Sequence, residues 1–145
     1  VTTLRDQLAS EEGRSNTAYR DTLGVWTIGI GHAGQDVYPG LTWTDAQIDA
    51  AFDKDVLEKT AQVSQALPWF SALNDPRQAV LLQMAFQMGT VGLLKFAKTL
   101  QAVHDGRWQD ASQGMLNSVW ASQTPRRAAR LAQQMLTGEW IDETR

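Results

Sequence analysis

The stretch Glu12-Gly-Arg-Ser-Asn-Thr-Ala-Tyr-Arg-Asp21-Thr-Leu-Gly-Val-Trp-Thr27-Ile-Gly-Ile-Gly-His32 decides how this chain is built. Its first residue closes a helix and the remainder is a hairpin. Thr3 is placed to cap that helix, with Asp6 in the first turn and Gly13 just past the end. Leu4, Leu8 and Glu12 fall at i, i+4 and i+8 and share one face, whereas Glu11 is turned about 100° away. Of the two adjacent glutamates, Glu12 is therefore the one expected to point inward. Asp21-Thr-Leu-Gly24 reads as a tight turn between two short strands. Beyond it, Trp26, Ile28 and Ile30 alternate with Val25, Thr27, Gly29 and Gly31. That alternation predicts one core face and one bare face, where the Thr27 hydroxyl lies beside two glycines and a ligand or another backbone can approach.

Downstream the pattern turns helical. Residues 33–41 read as a loop with room for a short edge strand. A long helix is expected from Thr42 or Thr44 to about Leu67, where Pro68 blocks it; Ile48, Phe52 and Val56 mark its apolar stripe, continuing to Val63 and Leu67. Its length suits a spine joining two lobes. Asp75-Pro76 reads as an N-cap followed by proline, opening a helix that is apolar on nearly every side from Ala79 to Met88 and stops at Gly89. Shorter helices are expected at about 93–104, 108–119 and 125–136, the last opened by Thr124-Pro125.

Composition narrows the function. The 145 residues suit one domain, and 43% apolar content with 20% charged content describes a folded chain. No apolar run approaches the ~18 residues of a membrane span, and no basic-then-apolar segment opens the sequence, so membrane insertion is not expected. Starting at Val1 rather than Met, the chain is expected to be trimmed or processed. With no cysteine, and His32 and His104 far apart, neither a metal nor a cofactor is expected. The net charge of −3 is uneven: residues 1–75 carry 5 basic and 11 acidic side chains, residues 76–145 carry 8 and 5. Two surfaces of opposite sign suit a cleft and not nucleic acid, which wants a concentrated basic stripe.

Glu12, Asp21 and Thr27 are the candidates for chemistry. A carboxyl group that protonates a leaving glycosidic oxygen must hold its proton near neutral pH. A helix C-terminus and partial burial both favour that neutral form at Glu12; the plain alternative is a solvated helix-end glutamate. Asp21 is either a turn former bonded to nearby backbone or a carboxylate that orients a water. Thr27 alone is a good β residue, and its glycine neighbours make it suggestive. His32 is a ligand, a base or a structural residue, with Asp55 on the long helix as its candidate partner. Trp26 and Trp120 suit a cleft wall or lobe interface. Arg126, Arg127 and Arg130 form either a solvated helix face or a cluster from which one arginine reaches Glu12.

The spacing Glu, eight residues, Asp, five residues, Thr resembles the motif of the phage-type lysozymes (endolysins) of glycoside hydrolase family 24, the T-even coliphage branch above all. Tyr19 to His32 is similar almost residue for residue. Met84-Ala-Phe-Gln-Met-Gly89, Arg107-Trp108, Gln123-Thr-Pro-Arg-Arg-Ala128 and Thr137-Gly-Glu-Trp140 match in order. The resemblance implies an α+β, mainly helical fold. A small β-hairpin-containing lobe (about 13–45) is joined by a long helix (about 43–67) to a larger helical lobe (about 68–145, plus helix 3–12), with the cleft between them. It implies a monomeric N-acetylmuramidase that cleaves the β-1,4 bond between N-acetylmuramic acid and N-acetylglucosamine in peptidoglycan glycan strands, lysing bacterial cells. By position Glu12 is the general acid, and Asp21 and Thr27 hold the attacking water, with inversion at the sugar carbon. Arg127 falls where the family pairs an arginine with the acid, and Asp55 where it pairs an aspartate with the histidine after Gly31, here His32. Phe86, Gln87 and Trp120 fall at cleft-lining or inter-lobe positions. The enzyme is expected in the host cytoplasm until a separate membrane-permeabilising protein releases it to the wall.

Two departures stand out. The stretch from His32 to the long helix is much shorter than in the T-even branch, so the small lobe is trimmed. The negative net charge weakens long-range steering toward an anionic wall, leaving the positive second half to compensate. The rival readings are a lytic transglycosylase, which needs the acid but no water-holding pair, and a non-catalytic wall-binding or phage-tail domain.

Overall fold

A computed structural model describes residues 3–142; the chain start at Val1 lies outside them. The fold is α+β and mainly helical, with seven α-helices and one three-stranded antiparallel sheet among the described residues. The chain divides into two compact units, one of which is Arg5–Glu58.

In that unit helix α1 (Leu4–Glu12), all but its first residue, leads into strands β1 (Ser15–Arg20), β2 (Trp26–Gly29) and β3 (His32–Ala33), ordered β1-β2-β3. Gly13, with φ 75°, ends α1 by donating its N–H to the Ala9 carbonyl at 2.9 Å. The β1–β2 register sets Tyr19 opposite Thr27 and Arg20 opposite Trp26. Ile28 and Ile30 are buried as expected, but Thr27 and Gly29 are buried too, so the bare face predicted by strict alternation does not form. The cause is backbone. Gly29 and Gly31 both take φ 67°, a left-handed conformation that breaks the two-residue repeat. A Cβ built on Gly29 would lie 3.3 Å from the Trp43 ring and 3.4 Å from Ile48, so that glycine admits a side chain of its own unit and no ligand.

Helix α2 (Asp45–Ala66) starts in this unit and ends in the other. Thr44 opens it with a capping box: the Gln47 N–H donates to Thr44 Oγ1 at 3.1 Å and the Thr44 N–H donates to Gln47 Oε1 at 2.8 Å. Asp45, Asp49 and Asp53 follow at four-residue intervals. Arg14 pairs with Asp45 and Asp49, while Arg5 pairs with Asp49 and Asp53, so two arginines bind α1 and the start of β1 to α2. Arg5 also lies 4.7 Å over the Phe52 ring.

The helical unit is organised around α3 (Asp75–Leu94). Its cap is Asn74 and not Asp75: Asn74 Oδ1 accepts the Arg77 N–H, and Asp75 and Pro76 fill the first turn. Ala79 to Ala85 are buried without a break. The helix kinks at Gly89 (φ 80°, ψ 160°), the expected stop, and then resumes to Leu94. In consequence α4 is shorter than predicted, Ala97–His104. The stretch read as one helix at 108–119 is α5 (Trp108–Leu116) followed by a separate α6 (Val119–Gln123), capped by Ser118. Helix α7 (Pro125–Thr137) opens after Thr124, whose hydroxyl donates back to the Trp120 carbonyl and does not cap it.

One contiguous apolar core, including Val63, Phe70, Met84, Leu93, Met115, Leu131 and Met135, fills this unit. Arg77 closes its edge. Its ring-stacked guanidinium sits 3.6 Å from the Trp108 ring and donates to the Met135 and Leu136 carbonyls at the end of α7. No single helix among the described residues is long and apolar enough to cross a membrane.

Candidate active site

The candidate acid sits at the junction of α1 and the hairpin. Glu12 ends α1 and is half-buried, as is Glu11, so helical phase separates the two glutamates less sharply than the sequence predicts. What singles out Glu12 is its seat. A Cβ on Gly31 would lie 3.1 Å from Glu12 Cγ and 3.4 Å from its carboxyl carbon. The Glu12 side chain therefore rests directly on the Gly31 backbone, in space that any other residue at 31 would fill.

Asp21 and Thr27 are organised by the backbone of one residue, Val25. Asp21 donates its N–H to the Val25 carbonyl at 2.9 Å, and Thr27 Oγ1 donates to the same carbonyl at 3.0 Å. In return the Val25 N–H donates to Asp21 Oδ1 at 2.9 Å, which also accepts the Leu23 N–H at 2.9 Å. Asp21 is thus a turn former, with one carboxylate oxygen committed to the hairpin backbone and Oδ2 left over. Thr27 is buried at 4% exposure, and its hydroxyl does not face open space as the alternation implied. Its proton is committed to Val25, so toward any further partner it presents lone pairs.

Tyr19 joins the same face. It is directly opposite Thr27 in the ladder and two residues before Asp21, so the three side chains project from one side of the hairpin. Arg20 and Trp26 take the other side, the guanidinium 5.2 Å over the indole. Burial, reinforced by the nearby Glu12 and Asp21 carboxylates, raises the Tyr19 phenol above its ordinary range. Tyr19 carries no distinguishing sequence pattern of its own; only the register reveals it.

His32 is held at both ring nitrogens. Nδ1 lies 2.7 Å from Asp55 Oδ2, the pairing expected from the sequence. Nε2 lies 3.0 Å from Asp36 Oδ2, a partner the sequence reading missed although it stands four residues on. The Trp43 ring lies 5.3 Å away. Asp55 chiefly, then Asp36, raise the His32 pKa from 6.5 to about 9 against the opposing effect of burial. His32 in turn holds the Asp36 carboxyl below its usual range. A Cβ on Gly34 would lie 2.8 Å from Asp36 Oδ1, so this clamp too is built around a glycine.

The remaining candidates belong to the helical unit. Trp120 is buried at 8% exposure, donates its indole N–H to Gln87 Oε1 at 2.9 Å, and meets Phe96 edge-on. Gln87 thereby has its amide orientation fixed, with the NH₂ directed away from the indole. Phe86 and Gln87 are half-buried on α3 just before the Gly89 kink, and Arg127 is half-buried in the first turn of α7. Among the described residues no cluster of His, Cys, Asp or Glu is arranged to hold a metal ion.

The hairpin thus fixes one carboxylate, Asp21, and one hydroxyl, Thr27, while the Glu12 carboxylate closes the preceding helix against Gly31. The phage lysozyme family model matches residues 9–134. The chain belongs to the phage lysozyme family of cell-wall hydrolases. It is 29% identical to the probable T4-type lysozyme 1 of Dictyostelium discoideum, across 95% of this chain and 96% of that protein. It is 31% identical to the pre-baseplate central spike protein Gp5 of Enterobacteria phage T4, across 93% of this chain and 28% of that one. It is also 31% identical to the peptidoglycan hydrolase gp36 of Pseudomonas phage phiKMV, across 90% of this chain and 15% of that one.

Proposed function

We propose that the protein is an inverting N-acetylmuramidase, a monomer that cleaves the β-1,4 bond between N-acetylmuramic acid and N-acetylglucosamine in peptidoglycan. Glu12 is the general acid. Asp21 is the base that takes a proton from water, and Thr27 orients that water. The observation that carries this reading is the shared backbone of Val25. It consumes one oxygen of Asp21 and the proton of Thr27, leaving an acceptor on each. A water that donates one hydrogen to Asp21 Oδ2 and the other to Thr27 Oγ1 has its lone pairs left for the sugar carbon. As that carbon is attacked, Glu12 delivers its proton to the leaving oxygen and Asp21 accepts one from the water. Family membership supports the substrate class.

Gly31 supports the acid by leaving it room, and His32 by fixing the chain next to Gly31. Gln87, oriented by Trp120, offers amide donors suited to a sugar hydroxyl or N-acetyl group, and Phe86 an apolar contact beside it.

Glu12→Gln, which keeps the shape but has no proton of the right acidity, is expected to abolish clearing of permeabilised Gram-negative cells while thermal unfolding stays unchanged. Full clearing would overturn the acid assignment. Mass spectrometry of the products discriminates the rival chemistry: reducing ends are expected, and anhydromuramoyl ends would replace hydrolysis with transglycosylation. An NMR time course of the first product anomer checks inversion.

A further inference from the structure

We propose that a groove on the helical unit, where the end of α2 meets the kink in α3, is a subsite for an N-acetylglucosamine residue of the glycan strand. The inference rests on the muramidase reading given above, and deepens it.

The groove is built by a broken helix. Gly89 leaves the helical path at φ 80° and ψ 160°, and a β-carbon there would meet nothing within 4 Å, so the break opens onto free space. The chain resumes with Thr90 and Val91, and α2 supplies Gln62, Gln65 and Ala66 from its C-terminal end. Together they line a space of about 520 Å³, within the roughly 300–1,000 Å³ of small-ligand sites. All of these residues belong to the helical unit. Phe86 and Gln87, already read as sugar contacts, stand on α3 just before the same glycine.

The lining selects a neutral, amide-bearing sugar. None of its residues is charged. Thr90 Oγ1 donates to Gln62 Oε1 at 2.9 Å, which holds the Gln62 amide with its NH₂ turned away from the hydroxyl. Among the described residues neither that NH₂ nor the Gln65 side chain has a protein partner. Two amides therefore offer the donors and acceptors that an N-acetyl group pairs with. Val91, 73% exposed, adds an apolar side chain suited to the acetyl methyl. N-acetylmuramic acid differs by a lactyl ether that ends in a carboxylate or in the peptide built on it. In a groove without a cation that charge would be desolvated unpaired. Of the two sugars of the strand, the groove suits N-acetylglucosamine.

An NMR titration of the isotope-labelled chain with chitotetraose should move the side-chain amide signals of Gln62 and Gln65 and the backbone signals of Thr90 and Val91. N-acetylmuramyl dipeptide should leave them in place. Gln62→Glu keeps the shape and the bond from Thr90 but removes the outward donors. On soluble glycan strands it is expected to raise KM roughly 3- to 10-fold, the worth of one hydrogen bond, with kcat and the unfolding temperature unchanged, as for a contact made equally in ground and transition states. Unmoved signals or an unchanged KM overturn the proposal. So does a stronger response to the muramyl dipeptide than to chitotetraose, which would give the groove to the peptide-bearing sugar. A fall in kcat that tracks a fall in unfolding temperature would reduce Gln62 to packing and also overturn it. The two claims fail separately. A chain that clears cells but shows no response in the groove sinks only the subsite. A response in a chain that releases no reducing N-acetylmuramic acid ends sinks the muramidase reading and leaves a glycan-binding groove.

Discussion

The two units of this chain are held together by different physics. The helical unit contains one continuous apolar core from Val63 to Met135. Arg5–Glu58 has a handful of buried apolar residues, Leu8, Ile28, Ile30, Val37, Ile48 and Phe52 among them, and a dense set of polar ties. Arginines bracket three aspartates, two aspartates bracket His32, and an aspartate closes the hairpin. Apolar packing is non-directional and tolerates small displacements, whereas hydrogen bonds fix orientation. The unit that carries the proposed acid and base is the one built from directional contacts. Stability is concentrated in one unit and precision in the other.

The comparison makes predictions that rank by size. Met84→Ala, in the middle of the helical core, is expected to cost about 2–5 kcal/mol in denaturant unfolding, at any salt concentration. A strong salt dependence of that loss would break the contrast.

The His32 clamp comes next. Folding raises His32 from 6.5 to about 9, so its contribution is fully present below about pH 6.5 and disappears as pH rises through about 9. That shift corresponds to roughly 3 kcal/mol at neutral pH. Asp55→Asn should remove most of it and flatten the alkaline loss of stability, read by unfolding at pH 6 and pH 10. An unchanged profile would show that the clamp contributes nothing to folding.

Gly31→Ala is expected to cost about 1–2 kcal/mol for the left-handed backbone alone, and to cut lysis by more than its stability loss explains because the new methyl displaces Glu12. Equal losses would detach Gly31 from the site. Smallest is Asp49→Asn, which removes the aspartate shared by Arg5 and Arg14. Its effect on unfolding should be slight and should vanish at high salt, because the pairs are exposed and screened.

How much of this the sequence revealed follows the same division. Helices α2 and α7 are legible to within a few residues, because Pro68 lies just past the end of one and Thr124-Pro125 opens the other. So is the turn at Asp21, because turn chemistry is local. The failures come where one interaction displaces another. Asn74 outcompetes Asp75 as a cap, and the break at Asn117 and Ser118 divides a helix whose periodicity looked continuous. Strand alternation misjudged the surroundings of Thr27 and Gly29, because two left-handed glycines are invisible to a two-residue repeat. Of the candidate site, Asp55 on the long helix was expected as the partner of His32, and the family resemblance implied the same pair. Tyr19 needed the strand register and Trp43 the cover of Gly29, both properties of tertiary structure.

The backbone of Val25 has a consequence for how this site can change over time. Its N–H and C=O bind Asp21 and Thr27, while its own side chain is 45% exposed. The alignment of Asp21 with Thr27 is thereby written into chain connectivity and not into the side chain of residue 25. Any residue with a backbone N–H can stand at that position, which excludes proline. A single inserted or deleted residue between Asp21 and Val25 would shift the carbonyl away from both partners at once. A lineage can vary residue 25 but not the number of residues that separate it from Asp21.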